Sequence, residues 1–120
     1  MEKVQGIGGV FFRARDPQAL AEWYATHLGV PKAPTDMETP PWTSKEGVTV
    51  FAPFGEDTDY FSPDKRYMLN FRVANMDAML AQLRAAGIDI FNDQTMEGVG
   101  RFAHLHDPEG NPVELWEPPA

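Results

Sequence analysis

The chain has 120 residues, a formal net charge of −8, 42% hydrophobic residues and no cysteine. This length suits one domain with a single core, and the hydrophobic content excludes a wholly disordered chain. The acidic balance disfavours nucleic acid and anionic membranes as partners, and the missing cysteines exclude disulfides and thiol chemistry. No apolar run reaches the roughly 20 residues of a membrane helix. The N-terminal residues MEKVQGIGG lack a signal-peptide core, so we expect a cytoplasmic protein.

The first half predicts two strands, separated by a helix and a proline-rich loop. Residues 6–14 are rich in β-branched and aromatic side chains, which favours a strand. Asp16 is a suitable N-cap with Pro17 at the first helical position, and Gly29 ends the helical spacing. A second strand is predicted over Val48–Ala52.

The second half predicts a strand, a helix and a short strand before a C-terminal hairpin. Tyr67–Val73 has the composition of a strand, and either Asn75 or Asp77 caps the helix that follows. Ile88–Phe91 predicts the short strand, and the polar run Asn92–Gly98 predicts a loop.

The hairpin over Gly100–Pro118 is the most informative stretch. Its turn, Asp107–Asn111, contains a proline that presets φ and a glycine that supplies a positive φ. After the turn, apolar and polar positions alternate, which places Glu114 in a strand between apolar neighbours. Its carboxylate therefore faces either solvent or a polar cavity.

The register of this hairpin decides which residue lies opposite Glu114. If Asp107–Asn111 all lie in the loop, His104 lies opposite the carboxylate. If the loop ends at Gly110, Ala103 takes that place instead.

The two halves also look like weak copies of each other. Phe12 and Arg13 recur as Phe71 and Arg72, 59 residues later. A strand–helix–strand pattern in each half indicates an α+β fold.

Two stretches, GRFAHLHDPEGNPVELWEP and GIGGVFFRARDPQALAEWYATHLGV, resemble the vicinal-oxygen-chelate superfamily. This superfamily includes glyoxalases, bleomycin-resistance proteins and extradiol dioxygenases. The resemblance implies that residues 1–120 form a single glyoxalase-like domain made of two repeated βαβββ modules, about 1–60 and 61–120. These modules would form a partly open, barrel-like sheet around a cavity, and the superfamily habit of pairing modules implies a homodimer.

The resemblance also identifies four positions at which metal-dependent members hold their ion. Carried onto this sequence, they fall at Gly9, Phe51, Met68 and Glu114. Only Glu114 retains a suitable ligand, because glycine and phenylalanine have no donor atom and methionine offers only a soft thioether. We therefore expect no cofactor, and a divalent metal is the less favoured alternative.

Glu114 and His104 are the candidate catalytic residues. If the hairpin register brings them together, the pair could relay a proton, and relatives line their substrate pocket from the position of His104. The alternative is a structural, partly buried histidine with a hydrogen-bond partner.

Arg13 and Arg72 are the candidate ligand-binding cations. Relatives that bind glutathione carry an arginine at the position of Arg13, and such arginines would clamp a carboxylate or phosphate on the ligand. The alternative is an internal ion pair or a surface residue. The other side chains assigned to substrate binding are Phe11, Phe51, Met68, Asn70, Phe102 and Trp116. Loops that contain Trp42, Tyr60 and Phe61 could cover the cavity.

Three functions are compatible with these residues. The first is a metal-free, small-molecule-binding protein like the bleomycin-resistance members. The second is an acid–base enzyme that acts on a small substrate through Glu114, together with His104. The third is a metal-dependent lyase, isomerase or dioxygenase whose ligands come from unexpected positions. We rank them in this order because Glu114 is the only family ligand that the sequence retains.

Overall fold

The computed structural model describes residues 1–120 and contains two helices and one four-stranded sheet. In chain order the elements are α1 (Pro17–Leu28), β1 (Leu69–Arg72), α2 (Met76–Ala85), β2 (Phe91–Met96), β3 (Gly100–His106) and β4 (Pro112–Glu117). The strand order is β1-β4-β3-β2, with β1 parallel to β4 and the other pairs antiparallel. The predicted α+β class is confirmed, and the sheet is mixed and open.

Both helices begin and end at signals that are readable in the sequence. The Asp16 carboxylate accepts a hydrogen bond from the Ala19 backbone N at 3.1 Å, and Gly29 follows α1 with a φ of 71°. The α2 helix is capped by Asn75, whose side chain accepts from the Ala78 backbone N at 3.0 Å. These contacts satisfy backbone donors that the first helical turn leaves unpaired.

The core lies between the two helices and one face of the sheet. Alternation along β3 and β4 sends Ala103, Leu105, Val113 and Leu115 to this face. The buried apolar residues are Leu20, Tyr24, Met76, Leu80, Leu83, Ala103, Leu105, Val113 and Leu115. The same alternation sends His104 and Glu114 to the opposite face, where the candidate site lies.

The α1 helix is fastened to the turn of the hairpin by side-chain hydrogen bonds. The Tyr24 hydroxyl donates to the Asp107 carboxylate at 2.7 Å. Glu109 accepts from the backbone N of Arg15 at 2.7 Å and of Asp16 at 3.0 Å. These contacts set the position of the turn, and therefore of the two strands that it connects.

Two predicted strands of the first half do not form. Residues 6–14 and Val48–Ala52 have no backbone partner, and residues 29–68 contain neither helix nor strand. β-branched and aromatic composition favours a strand only where a neighbouring edge supplies hydrogen bonds, and the single chain offers none here. The structure therefore contains one complete βαβββ unit, β1-α2-β2-β3-β4, preceded by α1 and extended chain.

The predicted loop over Asn92–Gly98 is also wrong for most of its length. Residues Asn92–Met96 belong to β2, whereas the short strand predicted over Ile88–Phe91 contributes only its last residue. This run is polar because β2 is an exposed edge strand, which is stabilised by pairing with β3 rather than by burial. Its composition therefore predicted a loop.

Neither helix has the length and apolar character that crossing a lipid bilayer requires.

Candidate functional site

The hairpin register brings the two candidate catalytic residues together. The backbone N of Asp107 donates to the Asn111 carbonyl at 3.0 Å, so Asp107–Asn111 close the loop as a unit. His104 therefore lies directly opposite Glu114. The register that would have placed Ala103 there is excluded, and both side chains face away from the helices.

Three side chains contact the carboxylate of Glu114. The Tyr60 hydroxyl donates to Oε2 at 2.5 Å, and the Asn70 amide donates to Oε1 at 2.7 Å. The His104 Nε2 lies 2.7 Å from Oε2. Because Glu114 and His104 are only 6% and 3% exposed, these bonds replace nearly all contact with water.

The hydrogen bonds hold Glu114 in its ionised form. Burial raises the pKa of the Glu114 carboxyl, but hydrogen bonds from His104, Tyr60 and Asn70 together outweigh burial and hold the pKa below its ordinary value. Burial, followed by the hydrogen bond to Glu114, raises the pKa of the Tyr60 hydroxyl well above its usual range. Tyr60 therefore stays protonated and acts as a donor at physiological pH.

The imidazole of His104 is held on both of its nitrogens. Its Nδ1 lies 3.3 Å from the side-chain amide nitrogen of Asn92. The rings of Tyr60 and Phe91 contact it edge-on, with centroids 5.1 Å and 5.6 Å away. Both ring nitrogens have protein partners, so His104 is fixed in orientation.

Tyr60 belongs to a segment without regular structure that covers this face of the sheet. Phe54 packs against Tyr60 and Phe61, with ring centroids 5.6 Å and 5.8 Å apart. Ser62 Oγ lies 3.4 Å from the Nε2 of His106. The segment is therefore attached to the hairpin at two points, Tyr60 on Glu114 and Ser62 on His106.

A cavity of about 220 Å³ lies between this segment and the sheet. Its lining residues are Asp59, Tyr60, Phe61, Ser62, Pro63, Met68, Phe91, Asn92, His104, Leu105, His106, Pro112 and Val113. The walls combine apolar and aromatic side chains with a few polar groups, which is the usual form of a small-molecule site.

Five of the predicted substrate-binding residues lie on β1, β3 and β4 or directly before them. Met68 lines the cavity, and Asn70 is hydrogen-bonded to Glu114 at 2.7 Å. Phe102 and Trp116 stack on each other with centroids 6.1 Å apart, beside the cavity rather than in it. The Arg72 guanidinium donates to the Lys45 and Glu46 carbonyls, at 2.9 Å and 3.3 Å, and so holds an extended loop.

Three predicted residues lie apart from the site. Arg13 is exposed, Phe11 is 96% exposed and Phe51 is 85% exposed. All three belong to the segments that were predicted as strands and that remain unpaired. The prediction was wrong because these segments have the residue composition of a strand, but no neighbouring strand pairs with them.

Sequence reasoning missed Asn92 entirely and left Tyr60 as a loop residue that could cover the cavity. No local signal identifies either contact, since Tyr60 lies 54 positions from Glu114. Asn92 sits in a run that was interpreted as a loop. Its positive φ of 52°, which only a few residue types tolerate, is visible only in the structure.

The donor atoms around Glu114 do not fit a divalent metal. The structure has no group of three or more His, Asp or Glu side chains that could hold an ion. Gly9 and Phe51 are exposed and carry no donor. The Nε2 that faces the carboxylate must carry a proton, because an ionised carboxylate only accepts. One carboxylate does not hold a divalent ion.

Comparison with known proteins identifies relatives of this architecture. The family model of the glyoxalase-like domain matches residues 9–116. An antibiotic-binding protein from Streptomyces sp. CB03234 is 25% identical, with 87% of this chain and 88% of that chain covered at a TM-score of 0.54. A lactoylglutathione lyase from Agrobacterium tumefaciens is 18% identical, with 97% and 96% covered at a TM-score of 0.61.

Other comparisons are narrower. A glyoxalase/bleomycin resistance protein from the same Streptomyces is 31% identical, but the alignment covers 41% of this chain and 42% of that chain at a TM-score of 0.38. No curated protein sequence matches the chain.

The open mixed sheet, the helices on one face and the family match together define a protein of the vicinal-oxygen-chelate superfamily. Within it, the chain belongs to the glyoxalase-like domain family, whose model spans nearly its whole length. The resemblance drawn from the hairpin and the N-terminal stretch is thereby confirmed.

Proposed function

We propose that the protein binds a small organic molecule in the cavity beside His104 and that binding needs no metal ion. The observation that carries this proposal is the saturation of Glu114 by Tyr60, Asn70 and His104. Three of the roughly four acceptor sites of the carboxylate are occupied by protein donors. Glu114 then serves as the anchor that holds the covering segment over the cavity.

The cavity supports a ligand of limited size. Its volume of about 220 Å³ is below the roughly 300–1,000 Å³ of drug-sized sites. The ligand is therefore a small molecule, or one part of a larger molecule that extends into solvent. The similarity to an antibiotic-binding protein, at 25% identity over 87% of this chain, supports binding as the primary activity.

An acid–base or metal-dependent lyase, isomerase or dioxygenase remains the alternative. The contact between His104 and Glu114 at 2.7 Å favours a proton relay. However, the lowered pKa of Glu114 makes its carboxylate a weak base near neutral pH. Since protein side chains also occupy three of the roughly four acceptor sites of that carboxylate, the geometry favours a binding protein.

A titration with small aromatic probes tests the proposed site. We expect phenols and benzyl compounds to bind in the presence of EDTA, and to bind at least about tenfold more weakly to Phe91→Ala, since Phe91 lines the cavity. Phe102→Ala is the matched control, because Phe102 lies on the same face outside the cavity. Binding that disappears on chelation, or that responds only to Phe102→Ala, would contradict the proposal.

The predicted anionic group on the ligand, held by Arg13 and Arg72, stays a prediction. Neither arginine lines the cavity, so such a group would have to lie outside it. If carboxylate probes bind and Arg72→Ala weakens them, the ligand extends toward β1.

We further propose that a second copy of the chain completes the first module. The strand-like segments 6–14 and Val48–Ala52 expose apolar side chains, and the radius of gyration of 15.3 Å exceeds the roughly 13.6 Å of a compact chain of this length. Exposed apolar segments of this kind mark association surfaces. Pairing with the sheet edges of a second copy would supply the backbone hydrogen bonds that these segments lack.

The cytoplasmic location stays a prediction from composition.

A further inference from the structure

The lining of the cavity contains no lysine or arginine. Asp59 lies on its wall together with His104 and His106, and the ionised Glu114 lies directly behind Tyr60 and His104. The whole chain carries a formal charge of −8. A cavity with walls of low dielectric constant concentrates such a potential.

No lysine or arginine is bonded to the carboxylate of Glu114. Its donors are a phenol, an amide and an imidazole. The side-chain amide nitrogen of Asn92 lies 3.3 Å from Nδ1 of His104. Arg72, on the neighbouring strand β1, is occupied by the Lys45 and Glu46 carbonyls.

The backbone of β2 holds Asn92 beside His104. It is the only non-glycine residue with a positive φ, at 52°, and it lies where the register of β2 shifts between Phe91 and Gln94. A bulge of this kind re-aims a side chain. The next residue, Asp93, pairs with Arg101 through two hydrogen bonds, at 3.0 Å and 3.1 Å. The bulge is thereby anchored on one side and points Asn92 at His104.

Aromatic rings complete the environment of a cation. Tyr60, Phe61 and Phe91 line the cavity, and the electron-rich face of such rings attracts ammonium and guanidinium groups. We propose that the ligand of this cavity is a small organic cation, held by its aromatic walls and the negative charges of Asp59 and Glu114. This inference rests on the proposed function, because it names the ligand class of the same cavity.

Three probes of similar size test the proposal: benzylammonium, benzyl alcohol and benzoate, titrated by calorimetry at pH 7 into the full chain. We expect benzylammonium to bind about tenfold more tightly than benzyl alcohol, and benzoate more weakly than both. Asp59→Asn removes charge while keeping shape, and should weaken benzylammonium binding several-fold while leaving benzyl alcohol unchanged. Asp57→Asn, at an exposed acid outside the cavity lining, is the matched control and should change neither.

The outcomes separate this inference from the proposed function. Equal affinities for the three probes, all reduced by Phe91→Ala, would keep the binding site and overturn the cation preference. Benzoate binding as tightly as benzylammonium, or equal effects of Asp57→Asn and Asp59→Asn, would overturn it as well. If none of the probes bound at millimolar concentration, both proposals would fail.

Discussion

The hydroxyl of Tyr60 and the carboxylate of Glu114 lie 2.5 Å apart. This contact joins the C-terminal hairpin to a segment that lies 54 positions earlier and has no regular structure. Because the carboxylate is ionised and buried, the bond is charge-assisted and stronger than a neutral one. The cavity wall is therefore held by side-chain contacts, this one and that of Ser62 with His106, rather than by backbone pairing with the sheet.

Tyr60→Phe tests this dependence. The change removes one donor from an ionised, buried acceptor, and we expect a loss of about 1.5–3 kcal/mol in the free energy of unfolding, measured by urea denaturation. We also expect faster hydrogen exchange in residues 53–66. Tyr67→Phe is the control, since Tyr67 packs through its ring against Phe12. Equal losses of unfolding free energy in the two variants would show that the hydrogen bond to Glu114 contributes no more to stability than the hydroxyl of Tyr67.

The stability of the protein should depend on pH through Glu114. Its pKa is held below the ordinary value of 4.5, so the folded state releases this proton at lower pH than the unfolded chain. The stabilisation is therefore complete above about pH 4.5 and declines as the pH falls through the folded pKa.

We expect Glu114→Gln to fold, to lose about 1–3 kcal/mol of unfolding free energy at pH 7, and to bind aromatic probes differently. The difference from wild type should shrink in urea titrations as the pH falls below the ordinary value of 4.5. Glu56→Gln, at an exposed position, serves as the control. A difference that stays constant over this pH range would mean that Glu114 is not stabilised in its ionised form, and unchanged probe affinity would make it purely structural.

Elemental analysis of the purified protein tests the metal-free binding mode. Zinc, nickel, iron and manganese should each remain well below one atom per chain after dialysis. The reason is that Glu114 is the only anionic donor of its cluster, and waters would have to supply the remaining ligands. About one atom of any of these metals per chain, lost in Glu114→Gln, would overturn this prediction.

The oligomeric state can be measured by light scattering at micromolar concentration. We expect a mass of twice 13.4 kDa, because the exposed Phe11 and Phe51 are expected to be covered by a second copy. Phe51→Ser should weaken the dimer about tenfold or more. Met37→Ser, at an equally exposed apolar residue outside both predicted strands, should leave it unchanged. A clean monomer mass would contradict the homodimer.

The helix caps and the hairpin turn could be predicted from local patterns. The helix caps Asp16 and Asn75 are short-range signals, because the cap side chain bonds a backbone N three residues later. The turn Asp107–Asn111 is likewise local, but the sequence left its length open. Only the structure decided that His104, rather than Ala103, lies opposite Glu114.

The partners of that pair could not be predicted in the same way. Tyr60 reaches Glu114 across 54 positions and Asn70 reaches it across 44. No period or motif relates residues at such separations. Asn92 faces His104 because of a bulge in a strand whose composition is typical of a loop.

The sequence by itself determined the α+β class, the two helices and the C-terminal hairpin, because these depend on spacing within a few residues. The resemblance of two of its stretches to known proteins indicated the superfamily. Only the tertiary structure decided that Tyr60, Asn70 and His104 contact Glu114 and that Arg72 is occupied elsewhere. It also decided that residues 6–14 and Val48–Ala52 remain unpaired within one chain. The physical reason is that a strand requires a neighbouring edge, and a buried charge requires partners from distant parts of the chain.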